Sequence, residues 1–242
     1  MEKLYIVIPA YNESENIEAC VRDWYPVVDR YNGNGESRLV IVNDGSRDDT
    51  WEKLNALREK YPLLQPLTKE NGGHGSAVLF GYRHAIENRA DFVFQTDSDG
   101  QTLPGEFHAF WDKRNEYDAV IGERRVRGDG KSLKMVENTV CLLLKLIFHV
   151  SVRDANAPFR LMKTSLLGKY IDLLPRDFNI PNIMFTAYFV RNREKVLFLP
   201  ITFRPRQGGK NSINIRKIVK IGWKAVGDFR QLKKNMDKHP AA

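Results

Sequence analysis

The chain has 242 residues, 42% of them hydrophobic and 28% charged, with a formal net charge of +8. That length and apolar content read as a globular protein of one large α/β domain or two small ones. Its two cysteines, Cys20 and Cys141, lack the spacing of a zinc site or a redox pair and predict a reducing compartment.

In chain order, MEKLYIVIPAYNE has an apolar run too short for a signal peptide and no small-residue cleavage site, so it is expected to enter a first strand directly, over 4–10. Asn12 and Glu15 have capping-box spacing, and Ile17, Val21, Trp24 and Val28 then recur at helical intervals. Strand-length runs follow at 38–43, 91–96, 117–122 and 195–201, with helices expected over 48–60 and from about Gly75. This alternation predicts a βαβα order and a mostly parallel sheet. VCLLLKLIFHV (140–150) is well short of the ~20 residues that span a bilayer and reads as a core helix or as a contact with one lipid monolayer. The polar stretches 124–133 and 204–214 are the expected linkers, the first either a loop over a site or a solvated loop.

The charge is uneven. From Arg204 onward there are eleven Lys and Arg against two Asp, whereas the rest of the chain is nearly neutral. Such a tail points to an anionic partner, either membrane or nucleic acid. Within it, Ile215, Ile218, Val219, Gly222, Val226 and Phe229 share one helical face, opposite Lys217, Lys220, Lys224 and Gln231. This basic amphipathic helix suits an anionic membrane surface or docks on the preceding domain.

Open parallel sheets bind ligands beyond the carboxyl ends of their strands. Three such ends carry acids: PAYNE with Glu13, NDGS with Asp44, and TDSDGQ with Asp97 and Asp99. Asp97-x-Asp99-x-Gln101 offers three oxygens at a strand end. That donor set suits Mg2+ or Mn2+ carrying a diphosphate, or the stretch is an Asx turn that closes the strand. Thr102 and His108 stand where a calcium EF-hand loop needs Gly and Glu, and neither a dinucleotide-binding G-x-G-x-x-G nor a P-loop occurs.

PAYNE, VNDGS, NGGHGSAVLFGYRHA and DSDGQ, in that order, resemble the family-2 inverting glycosyltransferases, which have a nucleotide-sugar-binding GT-A fold. With IGERR (121–125) and DANAPFRLMK (154–163), the resemblance narrows to the polyprenyl-phosphate branch. It implies a GT-A catalytic domain over 1–203, a mostly parallel mixed sheet flanked by helices, and a basic linker and amphipathic helix over 204–242. It also implies roles: Pro9, Tyr11 and Glu13 border the base and ribose, Asp44 accepts a hydrogen bond from the base, Asp97 contacts nucleotide or metal, and Asp99 with Gln101 holds the metal. Pro158 and Gly100 depart from the residues usual in that branch.

A hydroxyl acceptor would need a carboxylate base. The Glu-Asp pair that supplies one in many such enzymes is absent, and Asp154 is the nearest candidate. A phosphate monoester, with a second pKa of about 6, is already mostly a dianion at neutral pH and needs cations instead. Arg125 and Arg160 are the first choices, with Arg124, Arg127, Arg204, Arg206 and Lys210 as further candidates. The expected enzyme therefore moves a sugar from a UDP- or GDP-sugar to a polyprenyl phosphate, peripherally on the cytoplasmic face of a membrane, with the tail or an integral-membrane partner reaching the lipid. The rivals are a transferase to a sugar hydroxyl with Asp154 as base, a nucleotidyltransferase, and a basic nucleic-acid-binding module; the last leaves the strand-end acids unexplained.

Overall fold

The computed structural model describes residues 2–33, 35–124, 131–205, 227, 229 and 231–234. Seven strands form one sheet: β1 (Leu4–Ala10), β2 (Arg38–Asn43), β3 (Leu64–Thr68), β4 (Phe92–Gln95), β5 (Ala119–Arg124), β6 (Arg160–Lys163) and β7 (Val196–Ile201). Their order is β3-β2-β1-β4-β6-β5-β7. All pairings are parallel except those of β6, which runs antiparallel to both β4 and β5.

Among the described residues, the helices that cover the sheet include α1 (Ile17–Arg30), α2 (Thr50–Leu57), α3 (His74–Glu87), α4 (Phe107–Trp111), α5 (Lys131–Phe148), α6 (Thr164–Tyr170) and α7 (Pro181–Arg191). Strand alternation divides the core between two faces. Leu4, Ile6 and Ile8 of β1 pack with α1, α2 and α4, whereas Tyr5 and Val7 pack with α3, α6 and α7. Both faces of β1 are therefore buried, as a continuous apolar run requires. Gly81 lets α3 lie directly on β1, since a Cβ there would meet Val7 Cγ1 at 2.3 Å.

β1 and β2 keep their expected bounds, and the other three expected strands shift by one or two residues. The expected capping box does not form. Asn12 has φ 53° and accepts the Arg47 N–H, while Asn16 is the residue that precedes α1. Two strands were not expected. β3 carries Pro66, which an edge strand tolerates because one side of its ladder is unpaired. β6 is four residues flanked by charge.

The VCLLLKLIFHV segment has a core face, as one of its two expected roles requires, and an exposed face. Leu144, Phe148 and Val150 are buried, whereas Leu142 and Leu146 are exposed beside exposed Lys145. Among the described residues no helix is long and apolar enough to cross a membrane. Within the tail, Phe229 is buried against Phe148 with ring centroids 6.0 Å apart, and Leu232 joins the same core. The rest of the proposed amphipathic face, Ile215 to Val226, lies outside the described residues, as do 125–130 of the first expected linker and 206–214 of the second.

Candidate active site

The carboxyl ends of β1, β2 and β4 meet at one rim. β1 and β2 are in register from Tyr5↔Arg38 to Ala10↔Asn43, so PAYNE and NDGS leave the sheet side by side. Ser46 Oγ accepts the Asn12 N–H at 2.9 Å, and Thr50 Oγ1 accepts the Glu13 N–H at 2.9 Å, tying the two turns together. Pro9 lies within buried β1, and Tyr11 is exposed just beyond it. Glu13 is buried: its carbonyl accepts the N–H groups of Asn16 and Ile17, and its carboxylate accepts the Asn16 amide at 2.7 Å. Its acid group therefore organises the entry to α1.

Asp44, also buried, accepts from Lys69 Nζ at 2.8 Å, Gly72 N at 3.0 Å and Gly73 N at 2.7 Å. Three donors leave about one of the four acceptor positions of a carboxylate for a ligand. The NGGHG segment is thus gathered over the end of β2 by Asp44, a structural task that the sequence did not reveal. Gly75, in the first turn of α3, is required there because a Cβ would lie 2.3 Å from the Phe178 carbonyl oxygen.

The acidic turn follows β4. Gly100 has φ 72°, a left-handed conformation that favours glycine and explains the residue at this position. Asp99 Oδ1 accepts the Gln101 N–H at 3.1 Å, so the Asx geometry is present alongside the acidic cluster. Asp97 Oδ1 accepts from Gln95 Nε2 at 3.1 Å and lies 3.8 Å from His74 Nε2 on α3. Gln101 grips the chain after β7 at two points: its carbonyl accepts the Arg204 N–H, and its Nε2 donates to the Arg204 carbonyl, both at 2.8 Å. With the amide nitrogen committed there, Gln101 presents Oε1 as its other end. Two carboxylates and a carboxamide oxygen are hard donors, which fit Mg2+ or Mn2+.

The expected acceptor-binding arginines separate into two groups. Arg204 is exposed and held beside the acidic turn. Arg124 instead makes a bidentate pair with Asp154, at 2.7 and 2.8 Å, with both side chains almost fully buried and Phe203 against the guanidinium. Asp154 Oδ1 also accepts the Asn156 N–H. Asp154, expected as a base, and Arg124, expected as an acceptor contact, are thus turned toward each other in this structure. Arg160, another expected acceptor contact, is enclosed. It is 0% exposed, and its guanidinium donates to the carbonyls of Ala155, Ala157 and Asn182 and to Thr186 Oγ1. A group so enclosed holds the 154–160 segment against α7. Arg125, Arg127, Arg206 and Lys210 lie outside the described residues.

An open, mostly parallel sheet with an acidic turn at the rim is the arrangement that the GT-A resemblance implies. A model described as glycosyl transferase family 2 matches residues 5–171, and the chain belongs to that family of glycosyltransferases. It is similar to the dolichol-phosphate mannosyltransferase of Pyrococcus furiosus, 28% identical over 89% of this chain and 60% of the relative. It is equally similar to the undecaprenyl-phosphate mannosyltransferase of Micrococcus luteus, 28% identical over 88% of each chain. The chain thus spans less than two thirds of the Pyrococcus enzyme. Among solved structures, glucosyl-3-phosphoglycerate synthase from Mycobacterium tuberculosis with Mn2+ and UDP-glucose matches with a TM-score of 0.69 at 16% identity, covering 96% of this chain and 79% of the other. TarS of S. aureus with UDP-GlcNAc matches at 0.61 and 20% identity, covering 94% and 66%.

Proposed function

We propose that this chain transfers a sugar, with inversion, from a nucleoside diphosphate donor to a polyprenyl phosphate at the inner face of a membrane. The observation that carries the reading is the closed Arg124–Asp154 pair. The one carboxylate positioned by sequence to act as a base is spent on a buried ion pair, which favours an acceptor that arrives already ionised. The names of the two mannosyltransferase relatives, one acting with dolichol phosphate and one with undecaprenyl phosphate, support the same acceptor class.

Asp97, Asp99 and Gln101 would hold Mg2+ or Mn2+, which when bound offsets the negative charge of the leaving diphosphate. The chain's own residues supply the rest. Tyr11, exposed past β1, and Asp44 border the base and ribose. Arg204, fixed by its backbone to Gln101, brings a cation to the rim where two phosphates meet. Exposed Leu142 and Leu146 with Lys145 provide an apolar and basic contact for the membrane surface.

The test is a panel of UDP- and GDP-sugars offered with undecaprenyl or dolichyl phosphate, with and without chelator, and mass analysis of the lipid product. A metal-dependent glycolipid joined through a single phosphate is the expected result. Transfer only to a hydroxyl acceptor would overturn the reading.

A further inference from the structure

Behind the acidic turn lies a line of buried polar side chains drawn from three elements. Tyr82 on α3 donates its O–H to Asn182 Oδ1 on α7 at 3.3 Å. Asn182 Nδ2 donates to Gln95 Oε1 at the end of β4 at 2.9 Å. Gln95 Nε2 then donates to Asp97 Oδ1 at 3.1 Å. Tyr82, Asn182 and Gln95 are all buried.

The polarity of this line is forced. An ionised carboxylate only accepts, so Gln95 must turn its NH2 toward Asp97. The Gln95 oxygen then needs a donor, which Asn182 supplies, and the Asn182 oxygen needs another, which the Tyr82 hydroxyl supplies. Three donors point the same way along the line, the last of them at the carboxylate, and hydrogen bonds in such a chain strengthen one another. Turning the Gln95 amide over would set its oxygen against Asp97 and its nitrogen against the Asn182 nitrogen. The Asp97 carboxylate is therefore supported from behind through Oδ1.

We propose that Gln95 and Asn182, with Tyr82 beneath them, are positioning residues that orient Asp97 for the divalent cation. The proposal rests on the metal-dependent reading above. All three are buried, so their effect is exerted through Asp97.

The test uses the full chain, with Mn2+ binding followed by electron paramagnetic resonance in the presence of UDP or GDP. Gln95→Met and Asn182→Leu should each weaken Mn2+ binding about tenfold, the low end of what loss of a ligand's supporting partner costs. Because Asn182 acts through Gln95, the double variant should bind no worse than Gln95→Met alone, whereas a separate structural role would give additive losses. At subsaturating metal the turnover rate should fall while KM for the lipid phosphate is unchanged. Tyr82→Phe, the mildest change, should weaken binding a few-fold and decides the matter if Asn182→Leu does not fold. Wild-type affinity in the variants, or additive losses in the double variant, would overturn the relay while leaving the metal site intact. A wild-type chain that binds no Mn2+ with either nucleotide would overturn the metal reading and the relay together.

Discussion

Two charged clusters sit at the same end of the sheet and meet different surroundings. The turn 97–101 keeps Asp97, Asp99 and Gln101 partly open to solvent, whereas the side chains of Arg124, Asp154 and Arg160 are buried. Residue type does not separate them, and neither does strand direction alone, since Arg124 closes the outward strand β5; their burial and partners do. β4 runs outward and turns back at Gly100, presenting its acids past the rim. β6 runs inward, and its first residue, Arg160, pairs with Gln95 already inside the ladder and under α7. The turn after β4 leaves its acids partly exposed, whereas Arg160, at the start of the inward strand, donates to backbone carbonyls.

That contrast is sharpest at Asp97 and Asp99. Their separate replacement by Asn should reduce metal-dependent sugar transfer at least about a hundredfold, beyond the 10- to 100-fold typical of supporting residues. The melting temperature should change little, because both groups lie at the rim. Comparable activity in either variant would break the comparison.

On the buried side, Arg160→Met should chiefly cost stability. Four oxygens lose their charged donor, and a buried acceptor left unsatisfied typically costs about 1–3 kcal/mol. Denaturant midpoints would show it. Asp154→Asn, which leaves the buried Arg124 uncompensated, should also destabilise the fold, yet turnover per folded molecule should fall less than about tenfold, against the 10²–10⁴-fold contribution of a true general base. Near-total loss of turnover would return Asp154 to the role of base.

A smaller effect is expected from Gly75→Ala. The new methyl would meet backbone at Phe178 and Asn179, and forced overpacking of this kind costs about 1–3 kcal/mol. The smallest concerns the far end of the sheet. Burial by itself raises the Asp118 pKa, but the Lys163 ammonium and the Lys195 N–H outweigh it, and the net shift is below the ordinary 3.8. A carboxyl depressed on folding stabilises the protein above its unfolded pKa, and that contribution is lost as pH falls through the lower folded value. Lys163→Met should therefore flatten the acid limb of the stability curve, by about 1 kcal/mol or less for so partly exposed a pair.

The outward half of the molecule was legible in the sequence because its signals are local. LYIVIPA and RLVIVN are continuous apolar runs with clear ends, and Ile17, Val21, Trp24 and Val28 all proved buried. β3 was hidden by Pro66, and β6 by its length of four residues with Arg and Lys at its ends. The acids at the rim could be read from strand ends alone. The burial of Arg160 could not, since its partners are carbonyls of residues 155, 157 and 182, which only the tertiary fold assembles. Nor could Asn182, whose partner Gln95 is 87 positions away; the only local hint was a polar residue directly after Pro181.

The interleaving of β6 also bears on how the chain reaches this state. Strands β1 to β4 can assemble as soon as they exist, but β5, made next, has no place beside β4 until β6 is inserted between them. Until then the Phe92–Gln95 edge is unpaired and apolar, the kind of surface that recruits other chains. A nascent or truncated chain ending before residue 160 should therefore aggregate, and crowding or slow synthesis at that point would govern yield more than the stability of the finished sheet.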